Sequence, residues 1–248
     1  MLVLALDTST AAGSVALVRD AELLGCSVGN TERTHGERLP GDVTALLAAH
    51  ECAASAVDVY AVCCGPGSFT GLRVGLATIQ ALAFVNGRRV VTVPTLEAVA
   101  RAAAPANGGG KAPLVGAWMN AHRGEVFAAL FESPAADGAD GSVAAAVGPL
   151  VEIAEPVASA PEVVAQQWRD LLRADGRRVA VIGDAVGPAR SLLERELDCA
   201  GLLAETVPPL APIAARLAAH GRTAVQPHAA RPVYVRRPDA VLARLKLQ

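Results

Sequence analysis

Aromatic residues make up only 3% of this 248-residue chain, and only Lys111 and Lys246 of its 22 basic residues are lysine. We read the arginine and alanine richness as genome composition rather than as a functional signal. No stretch of about 18 apolar residues runs without a charge or a Pro/Gly break, so no membrane span is predicted. The first six residues are apolar, but nothing basic precedes them and Asp7 ends the run, so no signal peptide is predicted. A net charge of −2 provides no basic field for a polyanion, which argues against a free-standing nucleic-acid binder. The five cysteines are an odd count, Cys63 and Cys64 are adjacent, and no CxxC or Cys/His metal spacing occurs. A reduced, cytosolic protein is expected. With 52% hydrophobic residues the chain can bury a real core, as one large domain or two of roughly 120 residues.

Two halves are predicted, 1–105 and 106–248. In the first, Leu2–Leu6 and Ser14–Val18 are strands joined by the short polar turn at Asp7–Gly13, a hairpin. A third strand is expected over Glu22–Val28. A helix is expected near 36–50, from the spacing of Leu39, Val43, Leu46 and Leu47, with Pro40 tolerated only in its first turn. Then come a buried strand (Val57–Cys64), a Gly-rich loop and a long apolar helix (Gly71–Val85) stopped by Asn86-Gly87. A strand (Arg89–Val93) and a short helix from Pro94 to about Ala103 follow. Residues 104–112 read as a linker and 133–148 as a mobile loop. The second half reopens with strand, turn and strand: Leu114–Met119, Asn120–Gly124, Glu125–Phe131. This is a weak internal repeat of the hairpin, where a duplicated fold would put it. Trp168 is assigned to a helix, Val179–Ile182 to a strand, Arg190–Leu197 to a helix and Val233–Val235 to a late strand; 133–178 otherwise resists assignment.

Three places can carry chemistry. At Asp7, Thr8, Ser9 and Thr10, hydroxyls and backbone N–H groups between two strands can wrap a phosphate, with Asp7 placed to hold Mg²⁺ through water; an ordinary hairpin turn with an Asx-type bond is the more common use of such a short motif. The run Gly65, Pro66, Gly67, Ser68, Phe69, Thr70, Gly71, Leu72 and Arg73 joins a strand to a helix start, where anions are stabilised, but it is neither GxGxxG nor a Walker loop. The helix it opens is apolar almost all round, more than one sheet-facing side needs. Its surplus requires a second cover, either from this chain or from a partner. Third, His35 precedes Glu37 and Arg38, but a lone His is ordinarily a surface or capping residue. No nucleophile triad stands out, and Cys63 and Cys64 read as core.

Together, Leu4–Thr10, Glu37–Leu39, Cys64–Gly75, Val93–Ala98 and Ala121–Phe127 resemble the bacterial TsaB (YeaZ) family, strongly over residues 1–131. Beyond that, only Ile182–Asp184 and Pro232–Tyr234 match. The resemblance implies an α/β fold of the actin-like (ribonuclease H-like) ATPase class with two βββαβα halves. It implies a non-catalytic subunit of the complex that adds threonylcarbamoyl to N6 of adenosine 37 in tRNAs reading ANN codons. A TsaD-like subunit would do the transfer and a TsaE-like ATPase would complete the set, with ATP and metal on those partners and none on this chain. The chain would pair with TsaD, or with itself when alone, through the two helices of its first half. Leu39, Val43, Leu46, Leu72, Leu76 and Ile79 are the expected seam, with Arg73 at its polar rim. tRNA would be met only through the complex.

The departures from relatives matter more than the matches. TsaD-like chains bind metal through a His-x-x-x-His pair; Thr95 and Val99 stand there, and neither replaces an imidazole. In the second half Asn120, Met119 and His122 occupy the turn where nucleotide-binding relatives have their other phosphate loop, and the adenosine loop shrinks to Gly183-Asp184-Ala185. One phosphate loop without its opposite is a poor clamp. A stand-alone actin-like ATPase or kinase, or a metallopeptidase acting on the partner, are the competing readings. The basic tail (Arg231, Arg236, Arg237, Arg244, Lys246) is either a solvated terminus or a hold on the tRNA backbone.

Overall fold

The computed structural model describes residues 1–103, 114–132, 150–197, 199 and 202–236. The linker expected at 104–112, the loop expected at 133–148 and the end of the basic tail therefore lie outside the described residues.

The first half runs β1 (Leu2–Asp7), β2 (Ser14–Arg19), β3 (Glu22–Val28), α1 (His35–Ala49), β4 (Val59–Cys63), α2 (Phe69–Val85), β5 (Arg89–Val93) and α3 (Thr95–Ala102). The second repeats that order: β6 (Leu114–Asn120), β7 (Val126–Glu132), β8 (Val151–Ser159), α4 (Pro161–Asp175), β9 (Val179–Ile182), α5 (Val186–Glu196), β10 (Leu203–Ala204) and α6 (Ala211–Ala219). Each half is thus one βα unit longer than the βββαβα expected. The sheets also match, β3-β2-β1-β4-β5 and β8-β7-β6-β9-β10, with the central strand antiparallel to one neighbour and parallel to the other. The hairpin repeat seen in the sequence is therefore the opening of a complete internal duplication.

β1 is buried along its whole length because both faces of its sheet are covered. Period-two alternation sorts its side chains. Leu2, Leu4 and Leu6 join α1 and α2 on the outer side, while Val3 and Ala5 join a central core shared with β6 and β7. β6 repeats the device: Leu114 and Trp118 face α4 and α5, and Val115, Ala117 and Met119 face inward.

Two helices lie in the middle layer, and they are exchanged. α3, from the first half, packs on β6, β7 and β9; α6, from the second half, packs on β1, β2 and β4. A cut between 105 and 106 thus divides a shared core rather than separating two independent ones.

Two local expectations change. α1 starts at His35 on a Thr34–Glu37 capping box, so Pro40 falls beyond the first turn, on the exposed side. Val233–Val235 is irregular chain rather than strand; its backbone is tied to the Gly-rich loop instead, Val233 N donating to Cys64 O at 2.7 Å. Among the described residues no helix is long and apolar enough to cross a membrane.

Candidate functional site

Asp7 ends β1 almost fully buried, and its own turn engages both carboxylate oxygens. Oδ1 accepts from the Ser9 amide at 2.9 Å and from the Ser9 hydroxyl, and Oδ2 accepts from the Thr10 hydroxyl at 2.9 Å. This is the Asx-turn reading of the motif. The carbonyls that follow point at α1. His35 Nε2 lies 3.1 Å from Thr10 O, and Arg38 donates to Ala12 O. Arg38 also lies 2.8 Å from His35 Nδ1 and 2.6 Å from Asp42. Since Arg38 can only donate, this network assigns His35 the neutral tautomer with its proton on Nε2. Burial, followed by the Arg38 charge, holds the imidazole below its ordinary pKa. His35 and Arg38 are therefore the braces of the hairpin turn. The sequence signal for them was present, a His and an Arg three apart on one helical face.

The Gly-rich loop lies directly on this turn. Ser68 N donates to Ser9 O at 2.9 Å, and the Ser68 hydroxyl accepts from Gly71 N at 3.2 Å, capping α2. Gly71 and Gly75 are the residues that let α2 descend onto Thr8. A Cβ on Gly71 would overlap the Thr8 carbonyl, and one on Gly75 the Thr8 hydroxyl. That hydroxyl is buried and has no hydrogen-bond partner among the described residues. The motif thus works as a packing device between helix start and turn. With both Asp7 oxygens engaged by Ser9 and Thr10, and α2 packed onto Thr8, the turn is filled by this chain's own groups and leaves no cradle for a nucleotide phosphate and its Mg²⁺.

Thr95 and Val99 are likewise absorbed by packing. The Thr95 hydroxyl accepts from Gly65 N at 3.0 Å and its amide donates to Gly65 O at 2.8 Å, while Val99 lies in the central core. In the second half Asn120 Oδ1 accepts from His122 N at 2.7 Å, and Asp184 accepts from Asn120 N at 2.8 Å. That pair also closes on itself. Among the described residues no group of three or more His, Cys, Asp and Glu is placed to hold a metal ion.

The helix faces need a correction. Leu39, Val43, Leu46, Leu72, Leu76 and Ile79, the expected seam, are only 0 to 7% exposed. All but Leu72 pack in the cluster against β1, β2 and β4, so they form the inward face of α1 and α2. The spacing located the apolar stripe, but a stripe of that strength belongs to the sheet. Outward, α1 shows Gly41, Thr44, Ala45, Ala48 and Ala49, and α2 shows Arg73, Ala77, Ala81, Phe84 and Val85. Phe84 and Val85 are 78% and 80% exposed. The apolar surplus of α2 has two fates. Part is covered from within by the segment at 225–230, held by Gln80 Nε2 on Pro227 O at 2.8 Å and Ala230 O at 3.1 Å. The rest is open to solvent beside the small-residue face of α1. Of the sequence-assigned residues, Arg73 and Phe69 do reach this surface.

Comparisons with known proteins agree with this architecture. The family described as "TsaD: tRNA N6-adenosine threonylcarbamoyltransferase" matches residues 27–234. An uncharacterized protein of Mycobacterium tuberculosis is 41% identical over 99 residues, which cover 39% of this chain and 47% of that protein. The chain thus spans about half the length of the first curated relatives it matches. The tRNA threonylcarbamoyladenosine biosynthesis protein TsaB of Bacillus subtilis is 25% identical over 203 residues, covering 82% and 80% of the two chains. The solved structure of YeaZ from Pseudomonas aeruginosa superposes with a TM-score of 0.68 at 29% identity, over 94% of this chain and 99% of that one. The duplicated halves, the exchanged helices and these matches agree: the chain has the actin-like ATPase fold and belongs to the TsaD family, on its TsaB (YeaZ) branch.

Proposed function

We propose that this chain is a non-catalytic subunit in the biosynthesis of threonylcarbamoyladenosine at position 37 of tRNAs reading ANN codons. It acts by docking a TsaD-type transferase, alongside a TsaE-type ATPase, and contacts tRNA only within that assembly. The observation that carries the reading is the paired outward face of α1 and α2. Its small residues allow a second pair of helices to approach to the 8–10 Å of ordinary helix packing, and Phe84 and Val85 offer large apolar side chains that are largely exposed among the described residues. The same face pairs with a second copy when the transferase is absent. Both turns that hold phosphates in nucleotide-binding relatives are tied up by this chain's own groups, so ATP and metal belong on the partners.

The test is calorimetry of the purified chain, first with Mg-ATP and then with TsaD from the same genome. The expected result is no heat with nucleotide, association with TsaD at micromolar concentration or tighter, and loss of that association in Ala81→Glu. Substrate turnover by the chain alone, or no association at micromolar concentration, would overturn the reading.

A further inference from the structure

Two large side chains at the start of α2 stay on the surface for a reason the fold does not require. Phe69 and Tyr234 are each about 40% exposed, and their rings stack with centroids 5.3 Å apart. The Arg73 guanidinium lies over the Phe69 ring at 4.0 Å, and its Nε donates to the Tyr234 hydroxyl at 3.3 Å. Tyr234 is 161 residues away in sequence. It is delivered by the C-terminal segment that Gln80 and Cys64 O pin along α2. The ring beneath it and the Nε bond together restrain the guanidinium. Among the described residues neither Nη atom has a hydrogen-bond partner, so the two-pronged end of the group faces solvent.

A guanidinium held in this way is set to take a carboxylate with two parallel hydrogen bonds. Its surroundings favour that ligand. The groove beside it runs between Arg73, Ala77 and Gln80 on α2 and Arg231, Pro232 and Tyr234 on the C-terminal segment, and no carboxylate lines it among the described residues. Helix α2 carries no Asp or Glu at all. Arg231 adds a second cation, its Nη1 already on the Ala230 and His228 carbonyls. The groove is continuous with the outward apolar face at Ala77 and Ala81. The groove's described cations are Arg73 and Arg231, beside an apolar strip, whereas a nucleic-acid backbone calls for a longer row of them.

We propose that Arg73, positioned by Phe69 and Tyr234, receives one Asp or Glu side chain from the helix surface of the partner transferase. The C-terminal segment is then part of the docking surface. This rests on the reading of the α1–α2 face as the partner site.

The experiment measures the affinity of the full chain for TsaD from the same genome in five variants. Arg73→Gln is expected to weaken binding about tenfold or more, as loss of a charge-assisted bidentate pair does. Arg73→Lys should recover little of it, because an ammonium keeps the charge and loses the fork. Tyr234→Phe, which frees the guanidinium while keeping the ring, should weaken binding about threefold, by roughly half the effect on a logarithmic scale. Ala81→Glu is the control for the face itself. Arg73→Glu should regain affinity when the facing TsaD carboxylate is changed to Arg. Affinity within twofold of wild type in Arg73→Gln, with Ala81→Glu abolishing binding, overturns this inference and leaves the docking reading intact. Unchanged binding in Ala81→Glu overturns the docking reading itself. An Arg73→Gln effect confined to tRNA affinity of the assembled complex, or to self-association of the chain, also overturns the inference, since the ligand would then be a phosphate or a second copy.

Discussion

The contact between Gly75 and Thr8 can be tested by adding one methyl group. On an exposed helix, Gly→Ala gains about 1 kcal/mol from helix propensity. At Gly75 the new Cβ would overlap the Thr8 hydroxyl and stand 3.1 Å from the Thr8 Cβ and Cγ2. Thr8 is fully buried, and its carbonyl lies beneath Gly71, so it has nowhere to retreat. Overpacking costs about 1–3 kcal/mol, and an overlap this deep belongs at the upper end of that range, so after the propensity gain Gly75→Ala should destabilise by up to about 2 kcal/mol. Thr8→Ala removes the clashing atoms together with a hydroxyl that has no described partner, and should shift stability by about 1 kcal/mol or less. The double variant should then return close to wild type, with a coupling of about 2 kcal/mol. Urea unfolding, compared at constant slope, measures all four corners of the cycle. A Gly75→Ala chain at least as stable as wild type, or an additive cycle, refutes the reasoning.

Three further outcomes follow from the same geometry. His35 has a lowered pKa in the folded chain, so stability should be complete above the ordinary imidazole pKa and fall as pH drops through it, where the unfolded chain binds the extra proton. Comparing unfolding at pH 7.5 and 5.5, His35→Gln should show a flatter dependence, and an unchanged slope would exclude His35 as its source. Glu97 opposes the cost of its burial through Arg222 and Arg101, which hold its carboxyl below the ordinary range. Arg101 is almost fully buried beside it at 2.9 Å, so Glu97→Gln should cost about 3 kcal/mol in urea; a loss under 1 kcal/mol would contradict this. Finally, thiol titration of the native chain should find Cys26 and Cys52 reactive and Cys63, Cys64 and Cys199 silent until unfolding. Burial pushes the Cys64 thiol up to about 11, so prompt reaction of a third thiol would show that the interior is more open than described.

Local signals in the sequence determined most elements of the first half. β3 and β5 fall at the boundaries their composition predicts, and α1 and α2 within two residues of theirs at the N-terminal end. Strand alternation, helical spacing and turn residues act over a few positions, so they can be read without knowing the fold. β8 and α6 escaped for physical reasons. β8 is an edge strand containing Glu152, Glu155 and Pro156, with only part of its surface buried and so a weak alternation. α6 is a nine-residue, alanine-rich helix between two sheets, buried on nearly every side, which erases amphipathic periodicity.

The site divides along the same line. That Asp7–Thr10 is a turn and Gly65–Arg73 a loop opening a helix was legible from residue types and spacing, as was the apolar excess of α2. What each does was decided by contacts between segments far apart in the chain: Gly75 on Thr8, Arg38 on Ala12, Thr95 on Gly65, Tyr234 on Arg73. A helical stripe announces that it will be buried without saying against what, and the sheet claimed the stronger one. Only tertiary packing could turn the weaker, small-residue side of α1 and α2 outward and bring the C-terminal segment alongside to orient a guanidinium, because those outcomes depend on which surfaces compete for the same cover.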